Sequence, residues 1–272
     1  MLIDSHSHLN FNAYKKDADE VIRRSLNNDI WVINVGSQYD TSKRAVEIAE
    51  KYKKGVYAAV GLHPVHLETG LVRIKSDPEE IRFSAQEEVF DCEKYKELAK
   101  SEKVVAVGEV GFDYYWRPKT KTKMGLFKEK QKKVLIQQIN LAKKLNLPLI
   151  FHCRMAHQDL IETLKSCDSI KGVVHCYTGN SKDTQAYLNM GLHFGFNGLI
   201  FKMNVDDIIK KIPLDKILIE TDCPYLTPPQ ETGRNEPLYV KYVVQKIAEI
   251  KNVNFEKIAE ITTQNAKNLF KI

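Results

Sequence analysis

The amino-acid sequence predicts an α/β fold, a single (β/α)8 TIM barrel over residues 1–272 with an additional C-terminal helix. Three observations predict this fold. Apolar segments rich in Val, Ile and aromatic residues recur eight times along the chain. Helix-like segments alternate with them, and the length of 272 residues suits one such barrel. A doubly wound open sheet is the competing architecture, and the count of eight strand segments favours the barrel.

The strand segments read, in chain order, MLIDSH, IWVINVG, VYAAVGLH, VVAVGEVG, LPLIFHC, GVVHCY, HFGFNG and ILIETD. Such nearly continuous apolar runs are typical of parallel strands that are buried on both faces. Amphipathic segments with apolar residues at helical spacing lie between them: ADEVIRRSLNN, SKRAVEIAEKY, FKEKQKKVLIQQINLAKKLN and HQDLIETLKSC. The last segment, NFEKIAEITTQNAKNLF, predicts the additional helix behind the eighth unit.

The stretch from Leu67 to Lys100 is longer than a βα unit requires. Within it, SDPEE predicts a helix start with Pro78 at an early position. We expect the stretch to be a solvated surface excursion. The sequence contains no linker, low-complexity tract or internal repeat, so a single domain over residues 1–272 is expected.

The composition is that of a soluble globular protein, with 43% hydrophobic and 28% charged residues. The net charge of +6 allows a polyanionic partner without requiring one. Five scattered cysteines form no C-x-x-C pair, which is typical of a reducing compartment. Neither a signal peptide nor a membrane-spanning run is expected, so we expect a cytoplasmic protein without a membrane partner. The sequence is compatible with a monomer but leaves the oligomeric state open.

Two histidines stand one residue apart at the end of the first predicted strand. Because side chains alternate along a strand, Asp4, His6 and His8 share one face. An isolated pair of this kind is more often a hydrogen-bonded or surface pair than a metal site. However, the carboxyl ends of other predicted strands also carry ligand-type residues. These are His63, Glu109, His152, His175 and Asp222. The carboxyl ends of barrel strands form one rim, so five of the eight histidines converge there.

This convergence predicts a divalent metal centre. Four histidines and two carboxylates are too many for a single four-coordinate ion, and they suit two ions that share one carboxylate. Glu109 is the expected bridge because its strand is central among those that carry ligands. Asp222 is expected to be both a ligand and the general base for the metal-activated water. Glu220 shares the strand parity of Asp222 and is expected to support a ligand.

Six ordered motifs resemble the TatD family of metal-dependent deoxyribonucleases: DSHSHLN, GLHP, GEVGFDYY, FHCRMA, HCYTG and ETDCPYL. The stretch FKEKQKKVLIQQINLAKKLNLPLIFH and the late GRNEP also resemble that family, so the resemblance covers the chain end to end. It departs at Phe112, where Leu is usual, and after GLHP, where the stretch exceeds the usual length.

The resemblance implies a TIM barrel, a divalent metal centre and hydrolysis of nucleic-acid phosphodiesters, commonly as a 3′→5′ exonuclease. The family's metal positions fall on His6, His8, Glu109, His152, His175 and Asp222. DNA is the expected substrate, with RNA as the alternative. The identity of the two ions stays open between Mg²⁺, Mn²⁺ and Zn²⁺, because availability often overrides affinity in cells.

Several residues near the rim are candidates for substrate binding. Arg154 follows His152 by two residues, and Arg234 and Asn235 lie in GRNEP after the last strand. Arginine binds phosphate oxygens bidentately, so these positions suit the phosphates of the substrate. His63 is expected to contact substrate beside them. A structural ion pair is the alternative for each arginine.

The loop DYYWRPKTKTK mixes aromatic and cationic residues, which is typical of a groove for single-stranded nucleic acid. The alternative is that Tyr114 and Tyr115 pack against the rim while the lysines are merely solvated. Lys130 and Lys133, further along, are expected on a solvated helix face. Cys153, Cys176 and Cys223 each follow a proposed ligand by one position. We expect them to fill space between barrel and helices.

The function that these residues favour is a two-metal hydrolase of nucleic-acid phosphodiesters, a 3′→5′ exodeoxyribonuclease that uses a metal-bound hydroxide. Two rival hypotheses stay open. The same metal centre could serve a small-molecule amidohydrolase or esterase, since the fold does not fix the substrate. A non-catalytic nucleic-acid-binding protein with a structural metal is the second rival, although structural sites are usually closed.

Overall fold

The computed structural model describes residues 1–67, 69–72, 79–80 and 87–272. Eight parallel strands lie in chain order within one sheet, each paired with the next, so the predicted barrel is confirmed. The strands are β1 Leu2–Ser7, β2 Ile30–Val35, β3 Val56–Val60, β4 Val104–Asp113, β5 Leu149–Arg154, β6 Gly172–Val174, β7 His193–Phe196 and β8 Ile217–Ile219. Every strand segment expected from the sequence therefore contains a strand.

The barrel closes between β8 and β1 by hydrogen bonds that do not form a regular ladder. Ser5 Oγ donates to the carbonyl of Ile219 at 3.0 Å. Nearer the rim, the backbone N–H of Asp222 donates to the carbonyl of His6 at 2.8 Å. The seam therefore brings the carboxyl ends of the first and last strands together, with His6 and Asp222 side by side.

The described residues form nine α-helices: α1 Ala18–Asn27, α2 Tyr39–Ala49, α3 Cys92–Leu98, α4 Lys121–Leu145, α5 His157–Lys165, α6 Ser181–Asn189, α7 Asp206–Lys211, α8 Val240–Lys251 and α9 Phe255–Phe270. The additional C-terminal helix expected from the sequence is α9. Its residues Ala266 and Phe270 pack against apolar side chains from β1 to β6 and β8. A cluster drawn from seven strands lies inside the barrel, so α9 covers that interior at one end.

A larger apolar cluster fills the space between the barrel and its helices. Cys153 and Cys223 are buried within it, as expected. Cys176 is only partly buried, and its Sγ lies 3.7 Å from Asn197 Oδ1. Within the described part of the chain, no helix is long and apolar enough to cross a membrane.

The stretch from Leu67 to Lys100 is not simply a surface excursion, so that expectation is wrong in part. It contains α3, which begins where the Asp91 side chain accepts hydrogen bonds from two backbone N–H groups. Phe90 and Tyr95 of the same stretch are buried in the outer core. These aromatic rings fix the returning chain against the barrel.

Glu80 belongs to the same stretch and is buried at the rim. Its carboxylate lies 2.7 Å from His66 Nε2 and also accepts a hydrogen bond from Ser37. The stretch is thus held to the loops after β2 and β3. The helix start predicted at Pro78 lies outside the described residues.

Candidate metal centre

The carboxyl end of β1 carries the first pair of predicted ligands. His8 Nδ1 lies 2.8 Å from the carbonyl of Val35 and donates to it, which leaves Nε2 facing the site. This Nε2 lies 3.1 Å from Nε2 of His6. The two imidazoles therefore point into the same space, as the alternation along the strand predicts.

Asp222 faces this pair from the loop after β8. Its Oδ1 lies 3.3 Å from His8 Nε2 and 3.8 Å from His6 Nε2. The backbone of Asp222 is left-handed, with φ of 57°, which turns the chain sharply at the end of β8. His6, His8 and Asp222 form a first group of side chains that could hold a metal ion.

Glu109 on β4 lies between this group and a second one. Its Oε2 is 3.4 Å from His6 Nε2. Its Oε1 is 2.7 Å from His152 Nδ1 and 2.8 Å from His175 Nε2. Glu109, His152 and His175 form the second candidate group. The two oxygens of one buried carboxylate therefore face two different sets of ligand atoms.

Two further carboxylates orient the histidines of the second group. Glu220 Oε1 lies 3.3 Å from His175 Nδ1, on the side of the ring away from Glu109. It also accepts hydrogen bonds from the backbone N–H of Cys176 at 2.7 Å and from Asn197 at 3.0 Å. A carboxylate on the far nitrogen would fix the ring of a ligating histidine, so this contact is consistent with the supporting role expected of Glu220, which stays a prediction.

Asp113 holds His152 in the same way, and sequence reasoning missed it. Its Oδ2 lies 3.1 Å from His152 Nε2, while His152 Nδ1 faces Glu109. The signal was present, because Asp113 follows Glu109 by four residues on one strand and an even spacing predicts a shared face. His63, expected to contact substrate, also lies within this centre. Its Nε2 is 3.6 Å from Glu109 Oε1, and it groups with Asp113 and His152 as a third candidate set.

The local electrostatics keep the carboxylates ionised. Burial would raise the pKa of the Glu109 carboxyl, but the neighbouring histidines, chiefly His175, outweigh it and hold that pKa well below its usual value. Burial would also raise the pKa of Asp222, and its contact with His8 reverses the direction. In His152, burial opposes the charged form, but hydrogen bonds to the two flanking carboxylates raise its pKa to about 9.

Asp4 lies beneath the centre and behaves differently. It accepts hydrogen bonds from the backbone N–H and the hydroxyl of Thr221 at 2.9 and 2.5 Å. Burial raises the pKa of the Asp4 carboxyl to about 8. Asp4 therefore ties β1 to the end of β8, and it also accepts a hydrogen bond from the backbone N–H of His6 at 3.3 Å.

A divalent cation fits this arrangement. Each candidate group offers three ligand atoms within 4.8 Å of one another, from buried or partly buried side chains. Imidazole nitrogen and carboxylate oxygen are the donors that Zn²⁺, Mn²⁺ and related ions take. Two imidazole nitrogens at 3.1 Å need a shared proton or a cation between them, and a cation satisfies both.

The remaining rim candidates divide into two kinds. Arg154 is exposed, and its guanidinium lies 3.7 Å above the ring of Tyr115. Arg234 instead pairs with Asp17 at 2.5 Å and stacks on Tyr14, with 4.1 Å between its guanidinium and that ring. The structure thus shows for Arg234 the structural ion pair that was the alternative to a phosphate contact.

Asn235 is buried and its side chain is occupied. Its Nδ2 donates to the carbonyls of Thr221 and Tyr225 at 3.0 and 2.6 Å. Its Oδ1 accepts from the backbone N–H of Glu236 at 2.9 Å. Asn235 therefore holds the loop after β8 in shape, and its expected contact with substrate stays a prediction.

The aromatic residues of the loop after β4 differ in their exposure to solvent. Tyr114 is buried and its hydroxyl donates to Asp159 at 2.8 Å, so this ring packs against the rim. Tyr115 and Trp116 are exposed, with 51% and 38% of their surface accessible. Lys130 and Lys133 lie on the solvated face of α4, as expected, although Lys130 also donates to the carbonyl of Thr69.

The chain is similar over its whole length to several known proteins. A family model described as TatD related DNase matches residues 3–271. The metal-dependent hydrolase YabD of Bacillus subtilis is 40% identical, over 100% of both chains. A Shigella flexneri protein named 3′-5′ ssDNA/RNA exonuclease TatD is 28% identical, over 100% of this chain and 99% of that protein. The crystal structure of YJJV, a TatD homolog from Escherichia coli K12, is 28% identical with a TM-score of 0.81, and covers 100% of this chain and 98% of that one.

Proposed function

Because this chain belongs to the TatD family of metal-dependent hydrolases, we propose that it hydrolyses phosphodiester bonds in nucleic acid. More finely, it is a 3′→5′ exodeoxyribonuclease that shortens a DNA strand from its end. The residues that hold its two divalent cations, Mg²⁺, Mn²⁺ or Zn²⁺, are His6, His8, Glu109, His152, His175 and Asp222.

One observation carries this proposal. The two oxygens of Glu109 face two separate groups of ligand atoms, at 3.4 Å on one side and at 2.7 and 2.8 Å on the other. A carboxylate whose two oxygens face two sets of ligand atoms would help to hold two cations. When bound, two such cations act as Lewis acids on a phosphoryl oxygen and lower the pKa of a coordinated water.

Side chains of the protein accept the proton and bind the phosphate. Asp222 is ionised, since its contact with His8 lowers its pKa, and its side chain is 15% exposed against 6% for Glu109. Asp222 is therefore the more accessible of these two carboxylates, and it accepts the proton of the attacking water. Arg154, exposed beside His152, holds a phosphate of the substrate strand.

The names of similar proteins support the finer part of the proposal. The matching family model is described as a DNase, and the relative from Shigella flexneri is named for 3′-5′ cleavage of single-stranded DNA and RNA. The net charge of +6 is consistent with a polyanionic substrate. DNA is proposed as the main substrate and RNA as the second.

The test uses metal-stripped protein and a single-stranded oligonucleotide labelled at its 5′ end. Mg²⁺, Mn²⁺ and Zn²⁺ are added in turn, and the products are separated by length. We expect a ladder that shortens by single nucleotides and requires metal. Glu109→Gln should lose about a thousandfold or more in rate, because the bridge loses its charge.

Glu129→Gln is the matched control, because Glu129 is exposed on α4 away from the centre and should keep full activity. Circular dichroism verifies that both variants fold. Absence of cleavage with every ion, by protein shown to hold metal, would exclude the exonuclease for that substrate. RNA, duplex ends and then small amides and esters would follow, the last of these testing the amidohydrolase hypothesis.

A further inference from the structure

The loop after β4 and the end of β5 form an exposed surface beside the metal centre, which we call the aromatic platform: Tyr115, Trp116 and Arg154. The guanidinium of Arg154 lies 3.7 Å above the Tyr115 ring. Trp116 stands perpendicular to that ring, with 5.2 Å between the two centroids. Two large aromatic side chains and a cation therefore share one solvent-facing surface.

The platform is fixed to the metal centre by short hydrogen bonds. The backbone N–H of Tyr115 donates to Asp113 Oδ1 at 2.8 Å, and Asp113 Oδ2 lies 3.1 Å from His152 Nε2. The strand pairing of β4 with β5 places Asp113 opposite Arg154, and the N–H of Tyr114 donates to the Arg154 carbonyl at 2.9 Å. These contacts therefore link Tyr115 and Arg154 to the candidate ligand His152.

The cations of this region lack neutralising partners. Arg154 makes no hydrogen bond or ion pair through its guanidinium within the described part of the chain. The same holds, among the residues that the structure describes, for four exposed cations that continue the loop into α4. We call these the cationic track: Arg117, Lys119, Lys121 and Lys123.

The start of α4 has an unfavourable distribution of charge. Lys121 and Lys123 lie in its first turn, and no acidic residue is present there. The amino end of a helix carries partial positive charge, so cations at this end are unfavourable and acidic residues are usual. A sequence that breaks a local rule in this way, next to a site, is expected where a ligand compensates. An anionic ligand would compensate for these charges.

We propose that the aromatic platform binds the terminal unpaired bases of a single-stranded nucleic acid, and that the cationic track binds the phosphates that follow. This inference rests on the proposed function, because it places the strand end at the metal centre. Successive bases of a single strand can each stack on an exposed aromatic ring, whereas bases inside a duplex are stacked on one another, so the platform favours single strands over duplexes. DNA and RNA share this chemistry.

The first experiment measures binding, not cleavage, by the full metal-loaded protein. The ligands are a single-stranded oligonucleotide with nonhydrolysable phosphorothioate linkages, an abasic strand of equal length and charge, and a duplex. The double variant Tyr115→Ala, Trp116→Ala should bind the base-bearing strand about tenfold or more weakly. Binding of the abasic strand and of the duplex should change little. The abasic strand has no bases, and the bases of the duplex are paired and stacked on one another.

Phe255→Ala is the matched control, because Phe255 is an exposed aromatic residue on α9, outside the platform. It should bind all three ligands as the wild type does. An equal loss for the base-bearing and abasic strands, or wild-type binding by the double variant, would overturn the inference. Trp116→Phe should retain most of the affinity, because a ring still stacks.

A spectroscopic readout tests stacking directly. The chain has two tryptophans, so Trp31→Phe leaves Trp116 as the single indole. Its fluorescence should be quenched by the base-bearing DNA or RNA strand and not by the abasic strand. Quenching by both strands alike, or by neither, would contradict stacking. Comparing DNA with RNA shows which strand the platform prefers.

The cationic track has its own test. The double variant Lys121→Glu, Lys123→Glu should weaken binding of all three ligands and reduce the dependence of affinity on salt. It should also raise the thermal midpoint, because acidic residues suit the start of α4. Unchanged salt dependence would exclude the track. If the wild type cleaves nucleic acid but the platform variant binds normally, only this inference fails. If no cleavage occurs but single strands bind through the platform, only the proposed function fails.

Discussion

The two sides of the barrel mouth use the same residue types for different purposes. On the side formed by β4 and β5, Arg154 is exposed and stacks on Tyr115 without a carboxylate partner within the described residues. On the side formed by the loop after β8, Arg234 is held by Asp17 and the carbonyl of Ala13. An arginine near a strand end is thus available to a ligand only where the fold has not already neutralised it.

The neighbouring polar groups follow the same division. On the β4–β5 side, the buried carboxylate of Asp113 faces the candidate ligand His152 at 3.1 Å. On the β8 side, the buried amide of Asn235 faces backbone groups of its own loop. The polar group of the first side thus contacts the candidate metal centre, whereas that of the second contacts backbone. Four predictions test this contrast, from the largest expected effect to the smallest.

Asn235→Ala should give the largest effect, and it should be an effect on stability. The substitution leaves two carbonyls and one N–H without their partners in a buried place. Each unsatisfied group costs on the order of 1–3 kcal/mol, so we expect a loss of about 3 kcal/mol or more in the free energy of unfolding. Denaturant unfolding followed by circular dichroism measures it.

The control for this change is Asn268→Ala, because Asn268 is an exposed amide on α9. It should change the free energy of unfolding by less than about 0.5 kcal/mol. If Asn235→Ala were as stable as this control while losing substrate affinity, Asn235 would be a substrate contact after all, and the β8 side would serve the site.

Asp113→Asn should weaken metal binding by about 10–100-fold without a comparable loss of stability. The amide can still accept a hydrogen bond from His152, but it no longer supplies the negative charge that favours the correct ring orientation. Isothermal titration with Mn²⁺ measures the affinity. Asp159→Asn is the matched control, since Asp159 contacts Tyr114 and Lys128 and no candidate ligand. Equal affinities for both variants would separate Asp113 from the metal centre.

Metal affinity should also rise with pH. Hydrogen bonds to its two flanking carboxylates raise the pKa of His152 to about 9, so in metal-free protein this ring is protonated at pH 7. A ligand must lose its proton to bind a metal, so each displaced proton raises the apparent affinity by up to about tenfold per pH unit, until about pH 9. Titrations in buffers of different ionisation enthalpy count the protons released.

The folding stability of the metal-free protein depends on pH in the opposite direction to the metal affinity. A histidine whose pKa rises on folding stabilises the metal-free protein fully below its ordinary value of 6.5, and this contribution is lost as pH rises towards about 9. Asp113→Asn should reduce both pH dependences, since it removes one of the two carboxylates. A metal affinity that does not change between pH 7 and pH 9 would mean that His152 is neutral before metal binds.

The candidate metal centre could be predicted from the sequence because each of its residues is marked by its position along one strand. His6 and His8 follow from alternation on one strand, and the other candidate ligands follow from their places at strand ends. The central position of Glu109 follows from strand order. Asp113 could have been found by the same even spacing from Glu109. The structure brings these residues together, and their roles as ligands stay predictions that the experiments above test.

Whether each rim arginine forms an ion pair within the protein could not be predicted in that way. Arg234 meets Asp17 across a separation of 217 residues, and no local pattern in the sequence indicates such a pair. The burial of Phe90 and Tyr95 likewise depends on how the long stretch after β3 returns to the barrel. Motif similarity identifies a residue's position, whereas its availability depends on long-range partners.

The smallest effects come from the two arginines themselves, and they are the sharpest test of the contrast. Arg154→Ala should weaken binding of a single-stranded oligonucleotide about tenfold, because a charge-assisted contact to phosphate is lost, and should leave the thermal midpoint unchanged. Arg234→Ala should do the reverse. Its partly exposed ion pair should contribute about 1–2 kcal/mol to folding, with binding and turnover per folded molecule retained.

A double-mutant cycle makes the distinction quantitative. Arg234→Ala and Asp17→Ala should be non-additive in the free energy of unfolding, because each removes the same contact. Arg154→Ala should be additive with Asp17→Ala, because no carboxylate among the described residues is paired with Arg154. If Arg234→Ala reduced oligonucleotide affinity as strongly as Arg154→Ala, its pairing with Asp17 would have to open when substrate binds. The β8 side would then belong to the nucleic-acid surface as well.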